Sequence, residues 1–249
     1  MTASEIRQEA RKCLTGKWGK GALATLIFVV ISYIISFVLN LVPMVGSIAA
    51  SIISIPLSFG FTVVMMCKLK RNEDFSYLDF FKAGFDKFVK VWQTTLWIFV
   101  KMLAPIVVAI IGAVIMASGI TMSAAGSSGS VLIILGIIVY LVGIIWTIPR
   151  AYSYRLALYI VNDNPNMLAK EAVEKSAEIM NGHRWAYFWL QCTFIGWAIL
   201  ACFTLGIGML WLIPYIHVST VAFYDNLIGN KKDESDTDET VAENPIQEN

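Results

Sequence analysis

The stretch from residue 148 to residue 184 joins a membrane-type helix to a surface helix, and it reads IPRAYSYRLALYIVNDNPNMLAKEAVEKSAEIMNGHR. Its first part closes a long apolar run and carries Pro149, Arg150 and Arg155. The polar residues 162–165 end that run, because Asn, Asp and Pro favour turns. An amphipathic helix then continues to Gly182, a residue type that commonly ends helices. The same order of apolar span, polar turn and surface helix recurs along the chain and predicts its architecture.

The composition indicates an integral membrane protein rather than a soluble domain. Of the 249 residues, 57% are hydrophobic and 15% are charged, and the mean hydropathy is +0.66. Stretches of about 20 apolar residues, enough to cross roughly 30 Å of hydrocarbon, recur along the chain. The first of them is longer than the core of a signal peptide and is interpreted as a span. The four cysteines lack CxxC spacing, which predicts reduced, apolar residues rather than a disulfide set.

The predicted fold class is an all-α membrane protein with six transmembrane helices in three hairpins. The spans cover about residues 21–42, 46–67, 94–117, 131–161, 185–204 and 207–227. Amphipathic helices on the cytoplasmic membrane surface are predicted at about 4–15, 76–92 and 165–181, with N-caps at Ser4, Ser76 and Asn164. Residues 1–229 then form one membrane domain. Residues 230–249 are acidic and almost free of apolar side chains, which predicts a disordered cytoplasmic tail.

The first surface helix has a two-faced pattern. Ile6, Ala10, Cys13 and Leu14 lie on its apolar face, and the charged residues, Arg7 and Arg11 among them, lie on the other face. Such a helix is expected to lie in the plane of the membrane interface, with its charges in water.

Three Ile-Pro dipeptides mark a repeat. They are Ile55-Pro56, Ile148-Pro149 and Ile213-Pro214, each about a dozen residues before a polar stop in the second span of a hairpin. At 1.5 Å per residue, the three prolines share one depth near the middle of the bilayer. We interpret them as helix kinks that neighbouring helices satisfy. The alternative is that they open backbone carbonyls to a substrate, as broken helices do in transporters.

The distribution of charge predicts the topology. Segments without any charge are 43–47, 118–130 and 205–208, whereas every Lys and Arg outside the spans lies in the other connecting segments or at the termini. By the positive-inside rule, both termini are cytoplasmic. The tail from residue 231 holds two of the 19 basic and seven of the 18 acidic residues, which leaves 17 basic and 11 acidic residues before it. This excess predicts attraction to anionic lipid headgroups on the cytoplasmic side.

Arg150 and Arg155 are the candidate site residues, as an anion or lipid-headgroup contact, because ionisable residues at depth usually line a cavity or pathway. Alternatively they snorkel, or lie on a cytoplasmic extension of an over-long helix. Insertion of a central Arg into the membrane costs about 3 kcal/mol, and each Leu, Ile or Val returns about 0.3–0.6 kcal/mol. The free energy of insertion therefore does not distinguish the two interpretations of these arginines. Lys101 is interpreted as a snorkelling residue, and Gly136, Gly143 and Gly196 are interpreted as sites of close helix contact.

No catalytic, metal or cofactor site is predicted. The sequence contains no Walker loop, no GxSxG, no HExxH and no paired carboxylates within a span. His183 and His217 have no Cys or carboxylate at ligand spacing. A nucleic-acid partner is not expected either, because the mixed charge and apolar faces of the surface helices fit a membrane better.

Several motifs together resemble a known bacterial family. They are Ala10-Arg11, Leu14-Thr15-Gly16, Trp18, Ile148-Pro149, Tyr152-Ser153-Tyr154, Asp163-Asn164-Pro165, Glu171-Ala172, Ser176, Met180-Asn181-Gly182, Phe194-Ile195-Gly196-Trp197, Gly206-Ile207-Gly208 and Pro214-Tyr215. The chain resembles, over nearly its whole length, the integral membrane family called domain of unknown function nine-seven-five. The resemblance implies a multi-pass protein of the bacterial cytoplasmic membrane, with no activity assigned to the family.

The role predicted from these observations is non-enzymatic: interaction, assembly or envelope homeostasis. The expected partners are the lipid bilayer with its anionic headgroups and a membrane protein of unknown identity. The alternative is a transporter or permease-like subunit with a path along the Pro-kinked second, fourth and sixth spans. A membrane-embedded lipid-processing enzyme is a more distant alternative, since acid-base and nucleophile pairs are missing from the sequence.

Overall fold

The computed structural model describes residues 2–42 and 45–243, with side chains described up to residue 229. These residues form α-helices and one π-helix, and no strand is found among them. The helices are α1 Ala3–Leu14, α2 Trp18–Asn40, α3 Val45–Phe59, the π-helix Gly60–Met65, α4 Met66–Arg71, α5 Asp79–Asp86, α6 Phe88–Ala124, α7 Ser130–Ser153, α8 Ala157–Asp163, α9 Ala169–Ile179, α10 Arg184–Phe203 and α11 Met209–Glu243. The prediction of an all-α chain is therefore confirmed.

Five stretches of the described chain are long and apolar enough to cross a membrane. They are Trp18–Asn40, Val45–Arg71, Phe88–Ala124, Ser130–Asp163 and Arg184–Phe203. These correspond to the first five of the six predicted spans. The predicted sixth span lies in α11, which is not among the five, and it stays a prediction.

The predicted tail falls at the end of α11. The backbone is helical to Glu243, the side chains from residue 230 are not described, and residues 244–249 lie outside the described residues. The prediction of a disordered tail therefore stays a prediction.

The N-cap of the first surface helix lies two residues before the predicted one. Thr2, not Ser4, caps α1: its Oγ1 accepts the backbone N–H of Glu5 at 3.3 Å. The Glu5 carboxylate accepts the backbone N–H of Thr2 at 2.9 Å in return, which completes a capping box. The choice of Ser4 was wrong because the capping box depends on an acidic residue three positions after the cap, and this acidic residue follows Thr2.

The other two surface helices are shorter than predicted. The expected helix over residues 76–92 is divided, since α5 ends at Asp86 and α6 begins at Phe88. The expected helix over 165–181 begins only at Ala169, where the Glu171 carboxylate accepts the backbone N–H of Leu168 at 3.1 Å. Ser76 and Asn164 therefore precede these helices rather than cap them.

The chain divides into two compact units, of which the first comprises Met1–Val91, Val161–Pro165 and Trp185–Asn249. In this unit α11 packs on α1, α2 and α4, while α5 packs on α3 and the π-helix. Its largest fully buried side chains include Phe59, Phe61, Phe80, Tyr187 and Tyr224.

The apolar face of α1 contacts protein. Ile6, Ala10 and Leu14 are at most 2% exposed, and α1 packs on α4 and α11. The residues of the predicted lipid-facing side of this helix therefore belong to the core of the first unit. Of the charged residues of α1, Glu5, Arg11 and Lys12 are exposed, whereas Arg7 and Glu9 are half-buried.

The second unit comprises Trp92–Ile160 and Asn166–Arg184, and its α6 and α7 form an antiparallel hairpin in close contact. Four glycines, spaced by seven residues within each helix, face the backbone of the partner helix. The contacts that an added Cβ would make are Gly112 with Tyr140, Gly119 with Ile133, Gly136 with Met116 and Gly143 with Ala109. The prediction of close helix contact at Gly136 and Gly143 is confirmed. At Gly196 it is wrong, because nothing lies within 4 Å of an added Cβ there.

Candidate functional site

Arg150 lies in the last turn of α7 and is half-buried. Its Nη1 donates a hydrogen bond to the carbonyl oxygen of Lys101 in α6 at 3.0 Å. Its guanidinium carbon lies 4.9 Å from the centroid of the Trp146 ring, within the range of a cation–π contact. Arg150 is thus fixed by groups of its own unit, and these contacts tie the end of α7 to α6.

Arg155 lies in the turn between α7 and α8 and is exposed. The two candidate arginines therefore have different surroundings, one in a helix hairpin and one at a surface turn. Their role as an anion or lipid-headgroup contact stays a prediction.

The helix predicted over residues 131–161 is interrupted after Ser153, and the interruption is bridged by one side chain. The Ser176 hydroxyl of α9 donates to the Ser153 carbonyl at 2.8 Å and accepts the Leu156 backbone N–H at 3.2 Å. Ser176 is completely buried. Because a buried backbone group without a partner is costly, this serine is what makes the break tolerable at this position.

In the first unit, charged side chains of four helices pair with one another near the ends of α4 and α8. We call Glu9, Lys70, Arg71, Asp163 and Asp225 the end cluster. The Lys70 ammonium lies 3.0 Å from the Glu9 carboxylate and 2.9 Å from that of Asp225. The Arg71 guanidinium donates two hydrogen bonds to Asp163, at 3.0 and 2.7 Å, and one to Asp225 at 2.8 Å.

The end cluster is suited to holding the ends of α4 and α8 against α1 and α11. Its side chains are between 14% and 31% exposed, so solvent weakens each pair only in part. The fork geometry of Arg71 on Asp163 is the strongest form of such a contact. Exposed ion pairs contribute about 0–1 kcal/mol each, and a bidentate network such as this one lies at or above the upper end of that range.

Two further lysines of the first unit also pair with residues of neighbouring segments. Lys87, between α5 and α6, donates to the backbone carbonyl and the side-chain oxygen of Asn162 at 3.1 and 3.2 Å. Burial lowers the pKa of the Lys87 ammonium. Lys68 pairs with Asp79 at 3.0 Å. Sequence reasoning did not find the pairs of Lys70 and Lys87, because their partners are 155 and 75 residues away along the chain.

A cavity of about 410 Å³ lies between α1, α10 and α11 in the first unit. Its aromatic and charged lining residues are Arg7, Arg11, Trp18, Trp197, Trp211 and Tyr215. The Trp18 and Tyr215 rings are 5.9 Å apart, and the Tyr215 hydroxyl donates to the Arg7 carbonyl at 3.4 Å. The amphipathic pattern of α1 predicted that its arginines face water, and it could not show that they border a cavity.

In the part of the chain that the structure describes, no three His, Cys, Asp or Glu side chains are grouped so that they could hold a metal ion. The expectations of no metal and no cofactor stay predictions.

A family model described as "Protein of unknown function (DUF975)" matches residues 1–231. The chain therefore belongs to the DUF975 family, and the resemblance seen in its motifs is confirmed. No curated protein and no solved structure matches the chain.

Proposed function

We propose that this member of the DUF975 family is a six-span protein of the bacterial cytoplasmic membrane with a non-enzymatic role in interaction, assembly or envelope homeostasis. Both termini are cytoplasmic in this proposal. Its expected contacts are the anionic lipids of the cytoplasmic leaflet and a membrane-protein partner.

The end cluster is the observation that carries the proposal. Lys70, Asp163 and Asp225 follow or end the second, fourth and sixth predicted spans. Side chains within 3 Å of a shared partner lie on one side of a membrane, and six alternating spans bring these three ends to the same side. Glu9 pairs with Lys70, which puts the helix before the first span on that side too. The excess of basic residues in these segments makes this the cytoplasmic side.

Internal hydrogen bonds support α11 as the sixth span. Ser219 and Thr220 are completely buried, and their hydroxyls donate to the carbonyls of Tyr215 and Ile216 at 2.7 and 3.0 Å. A span whose polar groups are satisfied within the protein does not need the hydropathy of a lipid-facing one.

The exposed side of α5 supports a location at the membrane surface. Leu78 is 59% and Phe81 43% exposed, whereas Phe80 is completely buried. Apolar side chains on both faces fit a helix that rests on protein with one side and on the lipid interface with the other.

The pairing within the end cluster supports a non-enzymatic role. An acid-base catalyst needs a titratable group that faces a substrate. Here the grouped carboxylates accept hydrogen bonds from Lys70 and Arg71, an arrangement that joins helices to one another.

The topology can be tested with single cysteines after Cys13, Cys67, Cys192 and Cys202 are replaced. We expect Ser127→Cys to react with an impermeant maleimide in intact cells, and Ser76→Cys and Lys175→Cys to react only after the cells are opened. All three positions are exposed, so a difference in labelling reports the side of the membrane. Labelling of the Ser76→Cys variant from outside would overturn the proposed orientation.

A second pair of cysteines tests the sixth span. Ile207→Cys precedes α11 and is expected to react from outside, whereas Gly229→Cys follows the predicted span and is expected to be protected in intact cells. If α11 does not cross the membrane, both positions lie on one side and both react. That outcome would leave a five-span protein.

Irregular helices favour the transporter alternative. The π-helix Gly60–Met65 and the break after Ser153 are features that often occur at functional sites. The alternative predicts that Val63→Cys, at a position 2% exposed, reacts with a water-soluble thiol reagent in the membrane because a substrate path reaches it. A structural role predicts no reaction at this position before unfolding.

A further inference from the structure

We infer that the cavity between α1, α10 and α11 binds one anionic phospholipid, with an acyl chain along its apolar wall and the phosphate on Arg7 and Arg11. The inference rests on the membrane location proposed above. It adds a defined site and a lipid class to a general attraction of the protein for anionic leaflets.

The charges in the cavity are of one sign. Arg7 and Arg11 are the charged residues among its described lining residues, and they are one helical turn apart on α1. Like charges at this spacing repel each other. Within the described residues, neither arginine is part of an ion pair, and the Nε of Arg7 is buried without a hydrogen-bond partner. A phosphate between them would remove the repulsion and accept from both guanidinium forks.

The rest of the cavity wall is apolar, and it reaches away from the arginines along α11. Ala201 and Leu212 are 6% and 7% exposed and form the inner wall. Gly208 and Tyr215, which both line the cavity, are seven residue steps apart, or about 10 Å along a helix axis. The volume is within the range of about 300–1,000 Å³ typical of ligand sites. An elongated apolar wall excludes a free inorganic anion as the whole ligand and fits an acyl chain.

Exposed aromatic residues lie at the side of the cavity through which an acyl chain can enter. Trp197 and Trp211 line the cavity and are 55% and 44% exposed, so an acyl chain can reach the inner wall from the surrounding hydrocarbon. Trp18 and Tyr215 border the arginines, and each of them carries a polar atom on a large apolar ring. The order of charge, amphipathic ring and apolar wall matches the order of groups along a phospholipid.

The inference can be tested by fluorescence quenching with the purified full-length chain in a neutral detergent. Phosphatidylglycerol with brominated acyl chains is titrated in, because bromine quenches only indoles close to it, and three tryptophans line the cavity. We expect saturable quenching that unbrominated phosphatidylglycerol reverses. Phosphatidylcholine with the same chains and inorganic phosphate are expected not to reverse it, which separates a lipid site from a free-phosphate site.

The matched variants change equal numbers of charges. Arg7→Gln/Arg11→Gln should weaken phosphatidylglycerol binding about tenfold or more, as expected for the loss of charge-assisted hydrogen bonds. Lys12→Gln/Lys82→Gln removes two exposed cations outside the cavity and should leave the affinity within about twofold. Ala201→Phe fills the apolar wall and should lower the saturating quench, with retained binding of a short-chain analogue.

Equal weakening by both double variants would show a general charge effect and overturn the site. Displacement by inorganic phosphate would overturn the lipid assignment, and the absence of saturable quenching would overturn both. The cysteine labelling described above does not depend on these outcomes. A chain with the proposed topology but without saturable quenching would therefore refute only the lipid site.

Discussion

The helices that carry Pro56 and Pro149 contain the same Ile-Pro dipeptide but differ a few residues after it. After Pro56, α3 changes at Gly60 into a π-helix, and the chain remains helical. After Pro149, α7 ends at Ser153, and helix resumes only at Ala157. The third dipeptide, at residues 213–214, lies in α11, which is continuous there. The proline alone therefore does not determine what the helix does.

The difference lies in what covers the irregular segment. In the first region the backbone of α5 touches it, since an added Cβ at Gly60 would overlap the Phe80 carbonyl, and one at Gly84 would overlap the Pro56 carbonyl. In the second region α9 reaches the break with a side chain, Ser176. In both regions a surface helix that follows in sequence packs on the irregular segment.

These two arrangements solve the same problem in different ways. Each irregular segment takes backbone groups out of the regular hydrogen-bond pattern of an α-helix, and the surrounding structure has to accommodate them. Where the surface helix touches backbone to backbone, glycines provide the space, and the helix changes to i→i+5 hydrogen bonds without ending. Where the surface helix stays one side chain away, a hydroxyl supplies both the missing donor and the missing acceptor. The two regions therefore differ both in how closely the surface helix approaches and in whether the helix continues or breaks.

The largest expected effect is at Gly60. Gly60→Ala places a methyl group on the Phe80 carbonyl oxygen, so that α5 has to move away from the π-helix. We expect a loss of stability of at least about 3 kcal/mol, at the upper end of overpacking effects. Thermal unfolding of the purified variant in detergent measures it.

Gly196→Ala is the matched control for this substitution. It lies within α10, and nothing lies within 4 Å of the added Cβ, so the variant should gain up to about 1 kcal/mol from helix propensity. A Gly60→Ala variant as stable as the wild type would show that α5 does not lie on the π-helix as described.

A smaller effect is expected at the second region. Ser176→Ala leaves the Ser153 carbonyl and the Leu156 N–H without their shared partner, and we expect a loss of about 2 kcal/mol. Ser118→Ala is the control, because the exposed Ser118 hydroxyl donates only to the Val114 carbonyl of its own helix. If both serine variants had the same stability in thermal unfolding, the bridging role of Ser176 would be wrong.

Apolar stretches and small residues made much of the fold predictable. Hydropathy is a local property, so five membrane-type helices followed directly from it. Gly136 and Gly143 were recognisable because small residues at helical spacing have few other uses in a span. The break after Ser153 was not predictable, since it depends on Ser176, twenty residues beyond Leu156. Helix propensity gives no information about such a partner.

The candidate sites were harder to predict from the sequence than the fold. The partners in the end cluster are up to 155 residues apart, and a charge at a span end has the same local pattern whether it is paired or solvated. Arg7 and Arg11 were recognisable as charged residues of an amphipathic helix. The pattern distinguishes an apolar from a polar face, but it does not show which neighbouring helices border the polar one.

The smallest expected effect concerns the ion pair that fixes α5 beside the first irregular segment. Asp79 accepts hydrogen bonds from Lys68 at 3.0 Å and from the backbone N–H of Ser76 at 3.1 Å. Pairing with Lys68, strengthened by the Ser76 hydrogen bond and opposed by burial, lowers the pKa of the Asp79 carboxyl.

Because that pKa is lower in the folded than in the unfolded chain, the pair stabilises the fold fully above the unfolded value of about 4. The contribution is lost as the pH falls through the folded-state pKa. Since Asp79 is 33% exposed, Asp79→Asn should cost less than about 1 kcal/mol at pH 7. The difference in melting temperature between wild type and Asp79→Asn should shrink below about pH 4. When both chains also carry Lys68→Met, this difference should be absent at every pH. A difference that stays constant from pH 7 to pH 3 would mean that packing of α5 on its neighbours, and not the charge of Asp79, holds this helix at the π-helix.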